Sequence, residues 1–244
     1  MKIAVIGAGN IGAQVAKKLD AAGHQVKLSN SRGPESLAET VAGTGIEAAE
    51  KEAAVQDADV VILSVPFARN PDLASIVAGA PARAIVVDTS NYYPARDGKI
   101  SEVESGKPET VWVSEQVGRP LVKAWNALLT QTLAEAGSAP GTPNRIAIPI
   151  AGDDTAAKAL VADLVSITGF DIVDAGSLEE SWRLQPGTPA YCTELTATEL
   201  KAALAAADKG RAASNRDAIM ASFSKPGAQF TRAGAVATNR SLTA

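Results

Sequence analysis

Gly7, Gly9 and Gly12 stand at the spacing that lets a backbone close on a pyrophosphate. Gly7 tolerates the angles of a tight turn. A Cβ at Gly9 would stand where the pyrophosphate must come, and Gly12 lets the next helix lie close to the strand. The whole loop reads Gly7-Ala8-Gly9-Asn10-Ile11-Gly12. Its helix would begin with free N–H groups and a positive dipole end, both suited to phosphate. The context is the one this motif requires. An apolar strand, Lys2–Ile6, precedes it, a helical pattern from Ile11 to Ala22 follows, and Gly23-His24 turns into a second strand, Gln25–Leu28, about 20 residues on.

The carboxylate that would hold an NAD ribose is missing after that second strand. Ser29-Asn30-Ser31-Arg32 stands there instead. A carboxylate would repel the 2′-phosphate of NADP, whereas Arg32 can pair with it in a fork and the Ser31 hydroxyl can add a hydrogen bond. The expected cofactor is therefore NADP. Alternation along the strand end leaves open whether Ser29 or Ser31 reaches the phosphate. The competing reading is that Ser31 and Arg32 form a solvated loop.

In an open α/β sheet the ligand lies outside the carboxyl ends of the strands. Two further strand ends therefore matter. Ser64, Val65 and Pro66 follow the third strand, and Val65 and Pro66 could flank the adenosine side and the middle of the cofactor. Asn91, after the fourth, could bond the nicotinamide carboxamide or a ribose hydroxyl, or be an ordinary turn residue. Asn126, at the end of Lys123-Ala124-Trp125-Asn126, would point toward the nicotinamide, with Trp125 in the core.

The one histidine, His24, lies in the turn before the second strand, so a His general acid is excluded from the site within one chain. No Tyr-x-x-x-Lys pair, no metal-ligand spacing and no nucleophile elbow is found, so no metal is expected. Cys192 alone is a poor nucleophile. Hydride transfer between stacked rings fits a site with little acid–base equipment, because positioning and exclusion of water carry it.

The elements around these residues alternate. Strand-like runs at Lys2–Ile6, Gln25–Leu28, Asp59–Ser64, Ala84–Asp88, Leu121–Trp125, Arg145–Ile150 and Asp171–Val173 are separated by helical patterns over Ile11–Ala22, Ser36–Thr44, Lys51–Gln56, Pro71–Ala78, Thr130–Ala136 and Thr155–Thr168. This predicts an α/β doubly wound Rossmann-type, mostly parallel sheet with a C-terminal helical extension. Residues 1–178 form the expected NADP-binding domain, and residues 179–244 a C-terminal helix and tail covering the active site or a dimer interface. Within the latter, 179–189 read as loop, 194–209 as an Ala-rich helix, and 225–244 as an irregular tail.

The chain has 244 residues, 46% hydrophobic but only 4% aromatic, with a net charge of −4. That balance argues against nucleic acid and anionic membranes as partners. No run approaches the roughly 18 apolar residues of a membrane helix. A single cysteine, and a start directly in a strand without a signal-like segment, predict a cytoplasmic protein.

Six segments together resemble the NADP oxidoreductases that use the deazaflavin coenzyme F-420. They are IAVIGAGNIG at 3–12, SNSR at 29–32, DADVVILSVPF at 57–67, VVDTSNYYP at 86–94, VKAWN at 122–126 and IAGDD at 150–154. The resemblance implies an enzyme with NADP held by the glycine loop and by Ser31 and Arg32, a small-molecule acceptor ring docked over the nicotinamide, and a homodimer. The chain departs from the family beyond Gly176, and residues 181–192 have no counterpart there. A second resemblance, to β-hydroxyacid dehydrogenases, would make Lys201 or Lys209 catalytic, although the glycine-rich segment that precedes that lysine is missing. Read as an imine or hydroxyacid dehydrogenase, the chain would use Lys201 or Tyr191 as proton donor. A non-catalytic NADP-binding regulator is the third alternative.

Overall fold

A computed structural model describes residues 1–224 and 230–244. Eight strands form one sheet: β1 (Lys2–Ile6), β2 (Gln25–Ser29), β3 (Glu47–Ala48), β4 (Val60–Leu63), β5 (Ile85–Asp88), β6 (Leu121–Lys123), β7 (Ala147–Gly152) and β8 (Asp171–Asp174). Their order is β3-β2-β1-β4-β5-β6-β7-β8. Every neighbouring pair is parallel except β6 with β7. The helices are α1 (Asn10–Ala21), α2 (Ala38–Val41), α3 (Lys51–Val55), α4 (Ala74–Ala78), α5 (Pro94–Asp97), α6 (Ser101–Glu104), α7 (Glu109–Val117), α8 (Thr130–Glu135), α9 (Thr155–Ile167), α10 (Ala197–Ala206), α11 (Lys209–Phe223) and α12 (Arg232–Thr243). None among the described residues is long and apolar enough to cross a membrane.

The architecture follows from period-two burial. Ile3 and Val5 pack on one face of β1 with Val15 and Leu19 of α1 and Leu164 of α9. Ala4 and Ile6 pack on the other with Val55, Val77 and Trp112 of α3, α4 and α7. Both faces being covered, β4 is buried at all four positions. In α1 the buried Gly12, Val15, Ala16 and Leu19 recur at i, i+3, i+4 and i+7, the stripe of a helix lying on a sheet. From β1 the chain runs outward through β2 and β3, then returns to β4 on the other side. The switch point of the sheet is therefore between β1 and β4.

Several expected boundaries move. Arg145 is not in a strand; its guanidinium donates to Ser138 O, Ser166 O and Asp171 in a loop. The helical patterns over Ser36–Thr44 and Pro71–Ala78 begin as 3-10 turns, Pro34–Leu37 and Phe67–Leu73, with Pro71 inside the second. Residues 94–120, left unassigned by periodicity, hold α5 to α7. Pro108 precedes α7, and Gly118 ends it with φ +68°, punctuation that was readable.

The C-terminal third departs most. Residues 179–189 include a 3-10 turn, Glu179–Leu184, with Ser181, Trp182, Leu184 and Thr188 buried. The helix expected over 194–209 is two. Thr196 and Glu199 cap α10 reciprocally, and Asp208 caps α11. The expected irregular tail contains α12, started by the Thr231 hydroxyl accepting from Gly234 N and packed against α11. The first part of that tail, residues 225–229, lies outside the described residues. Leu184, Leu200 and Leu204 join Ala147, Ala151 and Val173, so this segment covers one face of β7 and β8.

Glu109 generates a pH prediction. It is buried on the first turn of α7, and Oε2 accepts from Tyr92 N at 3.1 Å. Burial pushes its carboxyl up to about 7, against the charge of nearby Lys123. The folded chain thus holds this proton more firmly than the unfolded chain. The resulting stability is complete below about 4.5 and is lost as pH rises through about 7. Glu109→Gln is expected to remove this decline, leaving the variant more stable than the parent by about 1–3 kcal/mol at pH 8. Urea midpoints across this range check it. The difference between the two proteins cancels the titration of His24, and parallel pH curves would refute the assignment.

Candidate functional site

The glycine loop threads between the ends of β2 and β4. Gly7 N donates to Ser29 O at 2.9 Å, and Gly7 has φ +113°. A Cβ there would lie 2.1 Å from Ser64 O. A Cβ on Gly12 would lie 2.0 Å from Gly7 O and 3.0 Å from the Ser64 Cβ. These two glycines let α1 dock on its own loop and on the end of β4. Gly9 is different, since its Cβ would meet nothing within 4 Å. No side chain caps α1 there, so the first N–H groups of the helix face open space.

That space is a cavity of about 720 Å³ outside the carboxyl ends of the strands. It brings together Gly9, Asn10, Ile11, Ser64, Val65, Pro66, Asn91 and Asn126 from the sequence reading. Gly7 and Gly12 shape it from behind, and Ala8 packs against the core beneath. Ser31 and Arg32 do not line it. They are exposed just past β2, whose last residue pairs with Ile6 at the mouth of the glycine loop. The Asn30 side chain accepts from Arg32 N at 2.8 Å and donates to the Ser36 hydroxyl, which fixes the turn. Ser29 is buried and faces Val5 O, so Ser31 is the serine left free at this edge.

Asn91 and Asn126 bind each other. Asn91 Nδ2 donates to Asn126 O, while Asn126 Nδ2 donates to Asn91 Oδ1 and to Leu184 O, all within 2.8–3.0 Å. Two acceptors therefore fix the orientation of the Asn126 amide. Its Oδ1 is buried without a partner, a vacancy for a donor. Trp125 is fully buried, as expected, and adopts φ +54°, costly for a bulky residue. That left-handed step turns Trp125 down to donate to Thr168 Oγ1 and leaves Asn126 at the cavity.

Of the far wall, the sequence offered only Tyr191, as a proton donor in the alternative dehydrogenase reading. Tyr93 and Tyr191, 98 positions apart, meet there with hydroxyls 2.8 Å apart. Burial pushes both phenols up, so both stay neutral. Cys192 beside them is buried, and burial pushes its thiol up to about 12, which disqualifies it as a nucleophile. Arg232 of α12 also lines the cavity and forks onto Glu194 at 2.6 and 2.9 Å. Burial alone would raise the Glu194 carboxyl. Hydrogen bonds from Arg232 and Thr132, with the charges of Arg232 and Arg240, hold it below its ordinary value. Lys201 and Lys209 do not line this cavity; Lys209 lies 5.9 Å from the Trp182 ring, beside a different hollow. No local motif announced these long-range partners. Only the alternative role of Tyr191 as proton donor and the polar 179–189 segment before it hinted at them.

An open cradle at Gly9, an uncapped helix N-terminus and an orphaned amide oxygen fit a dinucleotide, and the sheet is that of Rossmann-type oxidoreductases. The chain belongs to the family described as NADP oxidoreductase coenzyme F420-dependent, which matches residues 2–92. It is thus an oxidoreductase of an NADP-dependent family. It is 40% identical over 102 residues to YjhV of Escherichia coli K12, covering 42% of this chain and 74% of that protein. The crystal structure of a hypothetical protein, SMa0349 from Sinorhizobium meliloti, is 35% identical, with a TM-score of 0.68 over 80% of this chain and 95% of that one. A structure from Arthrobacter sp. FB24 described as a candidate F420-dependent NADP-reductase is 24% identical, with a TM-score of 0.58 over 73% and 86%; it shares the fold.

The three glycines separate experimentally. Gly9→Ala is expected to keep the parent's thermal unfolding midpoint but bind NADPH at least about tenfold more weakly, roughly 1.4 kcal/mol. Gly12→Ala is expected to lose about 1–3 kcal/mol of stability from overpacking against Gly7 O. Calorimetry with a fluorescence titration of NADPH checks both. Equal destabilisation by the two substitutions would contradict the open cradle.

Proposed function

We propose that this chain transfers hydride between NADP(H) and a small conjugated acceptor of flavin-like or deazaflavin type. The observation that carries the reading is one cavity running from the uncapped α1 N-terminus to the paired amides of Asn91 and Asn126, with no histidine along it. The N–H groups after Gly9 would hold the pyrophosphate, and Arg32 with Ser31 the 2′-phosphate. Val65 and Pro66 would flank the central part of the cofactor. The orphaned Asn126 Oδ1 would take the N–H of the carboxamide, with Asn91 holding Asn126 in place. The reduced dinucleotide supplies the hydride when bound. The chain's own work is to fix the two rings face to face and exclude water, for which Leu128, Leu129, Ala134 and Cys192 supply apolar wall. The name of the Arthrobacter relative supports a deazaflavin acceptor. A cytoplasmic homodimer is part of the same reading.

Stopped-flow mixing of the protein with NADPH and then FMN, a deazaflavin or a quinone is expected to consume NADPH with at least one of them. No turnover with any would overturn the reading. Arg32→Ala is expected to weaken NADPH by about 1–3 kcal/mol and leave NADH nearly unchanged. Equal losses for both would contradict the 2′-phosphate assignment. Sedimentation equilibrium is expected to give twice the 24.9 kDa chain mass, and the single-chain mass would exclude the dimer.

A further inference from the structure

The cavity wall opposite the glycine loop holds a pair of phenols that ring stacking alone does not require. Tyr93 follows the turn after β5, where Asp97 Oδ2 accepts from its N–H at 2.9 Å. Tyr191 arrives on the C-terminal segment, fastened by Cys192 N donating to Ala127 O at 3.0 Å. Two hydroxyls carry two protons, and their 2.8 Å contact uses one of them. Neither hydroxyl has another oxygen or nitrogen partner among the described residues; the Cys192 thiol is the further neighbour of Tyr191, so with Tyr191 donating to Tyr93 the Tyr93 O–H is left for the cavity. Of the other hydroxyls lining the cavity, Ser90 donates to Asp88 and Thr89 to Leu63 O, whereas those of Ser64 at the glycine loop and Thr130 at the start of α8 are single and lack a paired hydroxyl to stabilise a negative oxygen. Arg96 lies 5.3 Å from the centre of the Tyr93 ring and donates to Asn91 O at 2.6 Å. Its charge and the neighbouring Tyr191 O–H are both placed to favour negative charge on the Tyr93 oxygen rather than on Tyr191.

We propose that Tyr93 is a proton donor in this site, with Tyr191 its positioning residue, and that the site also reduces conjugated carbonyl compounds. This rests on the cofactor reading above and adds a second acceptor class to the ring acceptors named there. A bound reduced dinucleotide would supply the hydride that forms the C–H bond at the carbonyl carbon as the C=O π bond breaks. The released electron pair on oxygen takes the Tyr93 proton and gives an alcohol. The Tyr93 oxygen, left negative, accepts the Tyr191 O–H and the field of Arg96, and water restores its proton. Atoms and charge balance: one hydride and one proton enter, and one alcohol leaves. Burial keeps both phenols protonated at ordinary pH, which is the state a donor requires.

The probe is 1-phenyl-1,2-propanedione. The chain has only three tyrosines, so carbon-13 labelling at Cζ gives three resonances, assignable with Tyr→Phe variants. Titrating the diketone into the labelled protein with oxidised NADP is expected to shift Tyr93 and leave Tyr92 in place. In turnover with NADPH, Tyr93→Phe is expected to lower kcat about 100-fold or more at near-constant KM, the range for a lost general acid. Tyr191→Phe is expected to lower kcat about tenfold and to change the solvent deuterium isotope effect, which a merely structural clamp would leave alone. NADPH affinity, read by tryptophan fluorescence, is expected to stay within twofold in both variants. A Tyr93→Phe rate within threefold of the parent, an unmoved Tyr93 resonance, or no reduction of the diketone by the parent would each overturn the proposal. Failure of the parent to bind NADPH would instead remove the cofactor reading, and the resonance shift would still decide whether the phenols face the acceptor.

Discussion

The cavity wall opposite the glycine loop depends on one buried ion pair. Asp88 closes β5 and Lys123 closes β6, paired in register, and both side chains are fully buried. Lys123 Nζ donates to Asp88 Oδ2 at 2.8 Å and to Ser90 O. Asp88 also accepts from Ser90 N, the Ser90 hydroxyl and Thr110 Oγ1. A buried charge without its partner costs several kcal/mol, so neither residue is tolerable alone. Together, with these hydrogen bonds to Ser90 and Thr110, they form a rigid knot that ties the turn after β5 to β6 and α7. Asn91 and Tyr93 leave that knot one and three residues after Ser90.

From the knot the constraints pass outward by hydrogen bonds. Asn91 holds Asn126, and Asn126 holds Leu184 O of the C-terminal segment. Tyr93 meets Tyr191, and Cys192 N returns to Ala127 O. Beyond them Arg232 and Arg240 of α12 bind Glu194 and the Thr193 and Glu194 carbonyls, fastening the last helix over the same wall. Trp125, Cys192 and Glu194, three of the four non-glycine residues with positive φ among the described residues, lie along this seam. Backbone strain of that kind persists only where surrounding contacts over-determine it, and here they do.

The same contrast explains what could be read from the chain. β1, the glycine loop, α1 and β2 were legible because each signal is local: an apolar run, glycines at fixed spacing, a helical stripe, a turn. Gly9, Asn10, Ile11, Ser64, Val65, Pro66, Asn91 and Asn126 converge because strand ends in a parallel sheet must share one edge. Arg32 and Ser31 reach only the rim, since the Asn30 turn carries them outward. The Tyr93–Tyr191 pair was illegible because no spacing rule relates residues 98 apart, and a search for Tyr-x-x-x-Lys passes over it. The helix α12 was misread because its Gly, Thr and Asn residues have weak intrinsic preference; its cap and its packing on α11 decide the matter.

The cavity thus has two ends made by different physics. At the glycine end the backbone itself faces the cavity, through N–H groups and the absence of a Cβ, so the chain can vary there little without losing the turn. At the far end the surface is assembled from side chains that follow β5 and β6 and from the C-terminal segment, held by amide, phenol and guanidinium contacts that no single local motif encodes. Family likeness is concentrated in the first end, where the match covers residues 2–92. The residues that would select an acceptor lie largely beyond it. A change of substrate would therefore require few alterations to the Rossmann sheet and several to the segment around Tyr191, because the glycine loop is fixed by its own backbone geometry while the far wall is built from side chains that can be exchanged.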